Sequence, residues 1–186
     1  MISPSPTSTT HATTIAERVR STLRPIADYP KPGILFQDIT PVLRDGQLLR
    51  DVVLEMCRPF QDSSVTHVLG IEARGFILGG AVATTLGAGF VPARKPGKLP
   101  WERATEAYDL EYGTDSLEAH RDAWTAGSRV LIVDDVLATG GTARAAGLLA
   151  RGLGADVIGW SFLLEIEGLK GREKLDHGLC HVVTRS

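Results

Sequence analysis

The chain has 186 residues, 43% apolar and 23% charged, which is the size of one globular domain that buries its own core. Its formal charge of -2 supplies no whole-protein positive field to gather nucleic acid or an anionic membrane, so any anion must be held locally. No run approaches the roughly 18 apolar residues of a membrane span, and Cys57 and Cys180, outside any CxxC or Cys/His cluster, read as packing residues of a reducing, cytoplasmic protein.

The first fourteen residues, MISPSPTSTTHATT, carry neither a basic n-region nor an apolar h-region, and are expected to be a disordered tail rather than a secretory signal. Residues 15–186 then form a single domain. Ile15, Val19 and Leu23 among charged neighbours predict a short amphipathic helix stopped by Pro25. In YPKPGILFQDITPVL three prolines and Gly33 argue against a regular helix, while Ile34, Leu35 and Phe36 are too apolar for a solvated linker. An ordered extended loop is expected there.

Helical spacing returns over Leu48 to Phe60, and Val65 to Ile71 reads as a strand stopping at GIEARG. Phe76 to Leu86 is a second helix, Gly89 to Arg94 a strand, Val130 to Val133 another strand followed by a helix over Ala143 to Leu153, and Val157 to Leu164 a further strand. Short, continuous, β-branched strands alternating with helices predict an α/β fold with a mostly parallel sheet covered on both faces. Ligand is then expected at the carboxyl ends of the strands. Between Lys95 and Gly127 some thirty charge-rich residues interrupt this rhythm, which predicts a functional lid or hairpin over about residues 95–127.

The chemistry concentrates in VLIVDDVLATGGT, residues 130 to 142. A strand ending at Val133 would release Asp134 and Asp135 and then Ala138, Thr139, Gly140, Gly141 and Thr142 into the start of a helix. Main-chain N–H groups there can converge on a phosphate, with the helix dipole and two threonine hydroxyls adding attraction. The loop lacks both the GK[ST] of a P-loop and the GxGxxG of a dinucleotide site. Two carboxylates beside a phosphate cradle imply a ligand that also offers hydroxyls or a bound Mg²⁺, and a ribose 5-phosphate meets that requirement.

This stretch resembles the phosphoribosyl pyrophosphate signature of the type I phosphoribosyltransferases. The resemblance implies that fold, with a flexible lid and a small N-terminal hood on the base side. It places Asp134 and Asp135 against the ribose hydroxyls and Ala138, Thr139, Gly140, Gly141 and Thr142 around the 5-phosphate. The signature does not choose the base. A closer resemblance, to the adenine phosphoribosyltransferases, runs in order through YPKPGILFQDIT, EARGF, RKPGKLP, YDLEYGTDSLE and LKGREKL. It implies transfer of phosphoribosyl from phosphoribosyl pyrophosphate to adenine, giving AMP and pyrophosphate in purine salvage, with Mg²⁺ held through substrate and no direct protein ligand.

By the same resemblance Arg74, Arg94, Lys95 and Lys98 neutralise the departing pyrophosphate, and Phe36 stacks on adenine while main-chain groups of Leu35 and Gln37 read its edge. Gln37 stands where many members carry arginine. By composition alone Phe36 would sit in a core, and Glu111, with Glu106 and Asp109 nearby, would belong to a solvated acidic face. The resemblance instead makes Glu111 and Tyr112 the lid groups that fold over the reacting centre, and it implies a homodimer. Two other readings stay open: a transferase for xanthine, guanine or a pyrimidine, and a non-enzymatic regulator that senses phosphoribosyl pyrophosphate. The latter calls for a helix-turn-helix or basic face, and neither is visible.

Overall fold

Residues 13–109 and 114–186 are described by the computed structural model; the predicted tail up to residue 12 and the lid candidates Glu111 and Tyr112 lie outside them. The chain opens with α1 (Ile15–Thr22), started by a reciprocal cap in which the Thr14 hydroxyl accepts from the Glu17 N–H and the Glu17 carboxylate accepts from the Thr14 N–H. The next segment is extended, as its prolines require. It pairs with itself: β1 (Arg24–Ala27) and β2 (Leu35–Asp38) form an antiparallel hairpin.

Directly after it, α2 (Thr40–Arg44) corrects the expectation that proline excludes a helix here. Pro41 occupies the first turn, where the missing N–H would have had no intrahelical partner. The helix predicted over Leu48 to Phe60 is α3 (Gly46–Cys57), capped by Asp45 and followed by a 3₁₀ turn at Arg58–Phe60.

The rest is a parallel sheet with helices on both faces. In chain order come β3 (His67–Ile71), α4 (Arg74–Leu86), β4 (Gly89–Ala93), the antiparallel lid hairpin β5 (Arg103–Asp109) and β6 (Thr114–His120), then β7 (Arg129–Leu137), α5 (Gly141–Gly152), β8 (Asp156–Glu165) and β9 (Leu179–Arg185). The spatial order β4-β3-β7-β8-β9 puts β7 at the centre, with every neighbouring pair parallel. The excursion predicted between Lys95 and Gly127 is therefore a hairpin standing outside the sheet.

Central strands of a sheet covered on both faces read as continuous apolar runs, and Val130 to Val133 are all buried. Two cores result. One, around Leu69, Ile71, Ile132, Leu149, Trp160 and Phe162, also receives Tyr108 and Leu117 of the lid hairpin. The other, around Val52, Met56, Phe60, Leu78, Leu131 and Leu163, fills the opposite face under α3 and α4.

Two boundaries differ in ways that matter for the site. β7 does not end at Val133 but continues through Asp134 and Asp135 to Leu137, pairing with β8 as far as Leu137 opposite Glu165. The backbone ladder outlasts the apolar pattern, because a carboxylate at a strand's carboxyl end can find a partner without breaking the pairing. The last strand, β9, was missed: LCHVVTR is short and half polar, and it forms the sheet edge beside β8.

Candidate active site

The donor-side residues assemble where β7 meets α5. A cavity of about 80 Å³ is lined by Asp134, Val136, Leu137, Ala138, Thr139, Gly140, Gly141, Thr142 and Ala143. The whole predicted phosphate loop is in that wall. Gly140 stands before the first residue of α5 with φ +77°, a left-handed conformation that glycine adopts without the clash of a side chain. That turn aims the first N–H groups of α5 into the loop, where no intrahelical acceptor uses them. No side chain caps α5.

The two aspartates are held differently. Asp135 is buried, and its carboxylate accepts from Nε of Arg74 at 2.5 Å. Asp134 accepts the Asp135 N–H at 2.8 Å. Burial first, and the adjoining Asp135 charge second, push the Asp134 carboxyl well above the usual carboxylate range, and the Arg74 charge offsets only part of this. One of the two acids thus resists ionisation.

Arg74 opens α4, directly after β3 and a cis peptide between Glu72 and Ala73. Burial disfavours its charge, but Asp135, Asp134 and then Asp38 favour it, and the balance lies above the ordinary arginine value. Asp38, the last residue of β2, adds the weakest of these attractions to Arg74. Asp38 itself is held down at about 2 by the hydroxyl and N–H of Thr40 and by Arg24.

On β2, Phe36 is half-buried and belongs to neither core; it meets Tyr29 edge-to-face, with ring centroids 5.2 Å apart. Leu35 is 59% exposed. The register sets Pro25 opposite Gln37. Proline has no N–H to give a bonded pair, so the alternation of an antiparallel ladder leaves the main-chain groups of Leu35 and Gln37 on the outer edge of the hairpin. An aromatic face and unpaired main-chain groups are together what a flat heterocycle needs.

At the lid entrance the basic cluster is present but engaged. Glu72 takes an ion pair from Lys98, another at 3.5 Å from Nε of Arg94, and a hydrogen bond at 2.9 Å from the Lys95 N–H. The Lys95 ammonium donates to the Tyr108 hydroxyl at 2.6 Å and pairs with Asp115 on β6. Glu118 fixes the hairpin base: its main chain bridges to Arg94 in both directions, and its carboxylate takes Arg103. Glu72, Asp115 and Asp38 were not singled out from sequence. Glu72 could have been, as the acid two residues before Arg74 in GIEARG.

The comparisons with known proteins agree with this arrangement. The family model described as phosphoribosyl transferase domain matches residues 49–184. Adenine phosphoribosyltransferase from Myxococcus xanthus is 53% identical over 163 residues, covering 88% of this chain and 89% of that protein. The crystal structure of adenine phosphoribosyltransferase from Rhodothermus marinus superposes with a TM-score of 0.89 at 50% identity, covering 92% of this chain and 98% of that one. The Saccharomyces cerevisiae enzyme, complexed with an imino-altritol bisphosphate and adenine, gives a TM-score of 0.86 at 39% identity over 91% of this chain and 98% of that one. With its loop between β7 and α5 at the centre of a matching sheet, the chain belongs to the phosphoribosyltransferase family, among its adenine phosphoribosyltransferases.

Proposed function

We propose that the chain transfers the 5-phosphoribosyl group of phosphoribosyl pyrophosphate to adenine, forming AMP and pyrophosphate, as a cytoplasmic homodimer of purine salvage. The observation that carries the site assignment is the cavity at the β7–α5 junction, whose wall holds Asp134 and residues 138–142, with Arg74 paired to the adjoining Asp135. In this reading residues 15–186 are one catalytic domain with a lid over about 95–127. Main-chain N–H groups at Ala138, Thr139, Gly140, Gly141 and Thr142 hold the 5-phosphate, and Asp134 and Asp135 accept from the ribose hydroxyls.

Bond breaking to a good leaving group runs ahead of attack, so positive charge grows on the ribose and negative charge on pyrophosphate, and the anomeric carbon inverts. Asp134 and Asp135 oppose the first charge; Arg74, Arg94, Lys95 and Lys98 oppose the second, each exchanging a carboxylate partner for phosphate oxygen. Phe36 covers one face of the adenine, and Leu35 and Gln37 read its edge. Glu111 manages the purine proton, with Tyr112 beside it, when the lid closes and excludes water.

In this reading Mg²⁺, a hard cation that takes oxygen ligands, is carried in by the diphosphate with no direct protein ligand, and the acidic pair Asp134 and Asp135 suits it as a nearby field while meeting the ribose hydroxyls. When bound, the ion neutralises charge on the leaving group. Support for the cytoplasmic reading comes from two free cysteines and from the fact that, among the described residues, no helix is long and apolar enough to cross a membrane. Support for the dimer comes from two exposed apolar side chains, Ile77, 51% exposed on α4, and Phe90, 38% exposed on the edge strand β4, where its ring meets Phe76.

The test is AMP formation from adenine and phosphoribosyl pyrophosphate, with hypoxanthine, guanine, xanthine and uracil as competitors and with Mg²⁺ added or chelated. Turnover of adenine alone, lost on chelation, is expected. Faster turnover of another base would overturn the choice of adenine, and full activity after chelation would remove Mg²⁺.

A further inference from the structure

The segment LKGREKL serves no step above, yet it lies against the phosphate loop. A Cβ placed on Gly171 would sit 2.1 Å from the Ala138 carbonyl oxygen and 2.9 Å from the Gly140 nitrogen. Conversely, a Cβ on Gly140 would sit 2.3 Å from the Gly171 carbonyl oxygen. Main chain therefore crosses main chain with no room for a methyl group on either side. Gly140 would be required for its left-handed φ alone, but Gly171 is absent from the positive-φ residues, so nothing in its conformation calls for glycine. What calls for glycine is the nearness of the loop.

The crossing segment is itself tied down. It leaves β8 with the Ile166 N–H on the Leu137 carbonyl at 2.9 Å, at the very start of the loop. On its far side Arg172 forks onto Glu165 at 2.8 and 3.1 Å and donates to the Cys180 carbonyl of β9 at 2.6 Å. A planar guanidinium held by two strands fixes the height of Gly171 over Ala138 and Gly140.

We propose that Gly171, held by Arg172, is a positioning residue for the donor's 5-phosphate: its backbone forms the rear wall that keeps the Ala138–Gly140 amides converged. This rests on the reading of residues 138–142 as the phosphate cradle. A methyl group at 171 pushes that wall into the loop and splays the amides, while the base side, built on β2, is untouched. Displacements of this order at a site cost affinity steeply.

Calorimetric titration of the wild-type protein and variants with AMP, which carries the 5′-phosphate, and with adenine, which lacks it, tests this. Gly171→Ala is expected to weaken AMP at least about tenfold while adenine stays within about twofold; the crowding lowers the melting temperature by roughly a few degrees, and the retained adenine affinity reports an intact fold. Gly168→Ala, in the same segment with nothing within 4 Å of its Cβ, leaves both affinities unchanged. AMP affinity kept in Gly171→Ala, or AMP and adenine falling together, overturns the inference. If Gly171→Ala does not fold, Arg172→Gln decides by the same AMP-to-adenine split, and an unchanged split overturns it. Gly141→Pro, which removes one cradle N–H at the first position of α5, separates the two layers. If it leaves AMP binding intact, the cradle reading fails and the inference with it; if it weakens AMP where Gly171→Ala does not, the inference fails alone.

Discussion

Among single residues Asp134 carries the sharpest conflict between stability and use. Its carboxyl is pushed up by burial and by Asp135, so the folded state holds its proton to a higher pH than the unfolded chain does. By linkage, stability is fully present below the unfolded value near 3.8, falls as pH rises toward the raised folded value, and stays reduced above it. Asp134→Asn is accordingly expected to raise the melting temperature at neutral pH and to flatten its pH dependence, measured by calorimetry across that range. The same change, combined with Asp135→Asn, should cut AMP formation at least about a hundredfold with the fold retained, a trade found where acids are kept for function rather than stability. Near-normal turnover in the double variant would remove the aspartates from the ribose.

At the level of elements, the hairpin is tied at both ends of its described length: Glu118 anchors the base through Arg94, and the Lys95 ammonium reaches Tyr108 and Asp115, one pair from the turn. Glu111 lies between β5 and β6 in the sequence, outside the described residues, and on the proposed reading Glu111→Leu should lower kcat at least about tenfold while donor affinity holds, as for a group engaged only as the reaction proceeds. An unchanged kcat in steady-state assays would take Glu111 out of the chemistry. This hairpin, the parallel sheet and the strand-to-helix loop over residues 138–142 were legible in sequence because each leaves a mark: a charge-rich interruption, buried β-branched runs, and glycines at a helix start. The β1–β2 pairing left none, since its strands are four residues each and their register depends on the hairpin closing. Likewise, the pattern of Val130 to Val133 could not reveal that β7 extends to Leu137, because the extension is made of backbone hydrogen bonds that side-chain polarity does not report. The roles of Glu72, Asp115 and Gly171 depend on partners distant in the chain, and local spacing is silent about those.

For the molecule as a whole, assembly and charge set the remaining expectations. On the homodimer reading, Ile77→Glu places a charge on the exposed apolar patch of α4 and should shift sedimentation from dimer to monomer at micromolar protein; an undisturbed dimer would move the interface elsewhere. With a net charge of -2, the protein attracts a polyanionic donor only through its few local cations. Those cations are not bare. Glu72 already gathers the side chains of Arg94 and Lys98, and Asp115 holds that of Lys95, so these carboxylates are resident understudies for the phosphate oxygens those groups are proposed to meet. Donor capture then becomes the replacement of one anion by another, with the cations ordered beforehand. Much of the attraction is set against the parting from Glu72 and Asp115, which leaves the binding less steeply dependent on salt than three free cations would make it, and gives pyrophosphate built-in competitors at the moment it must leave.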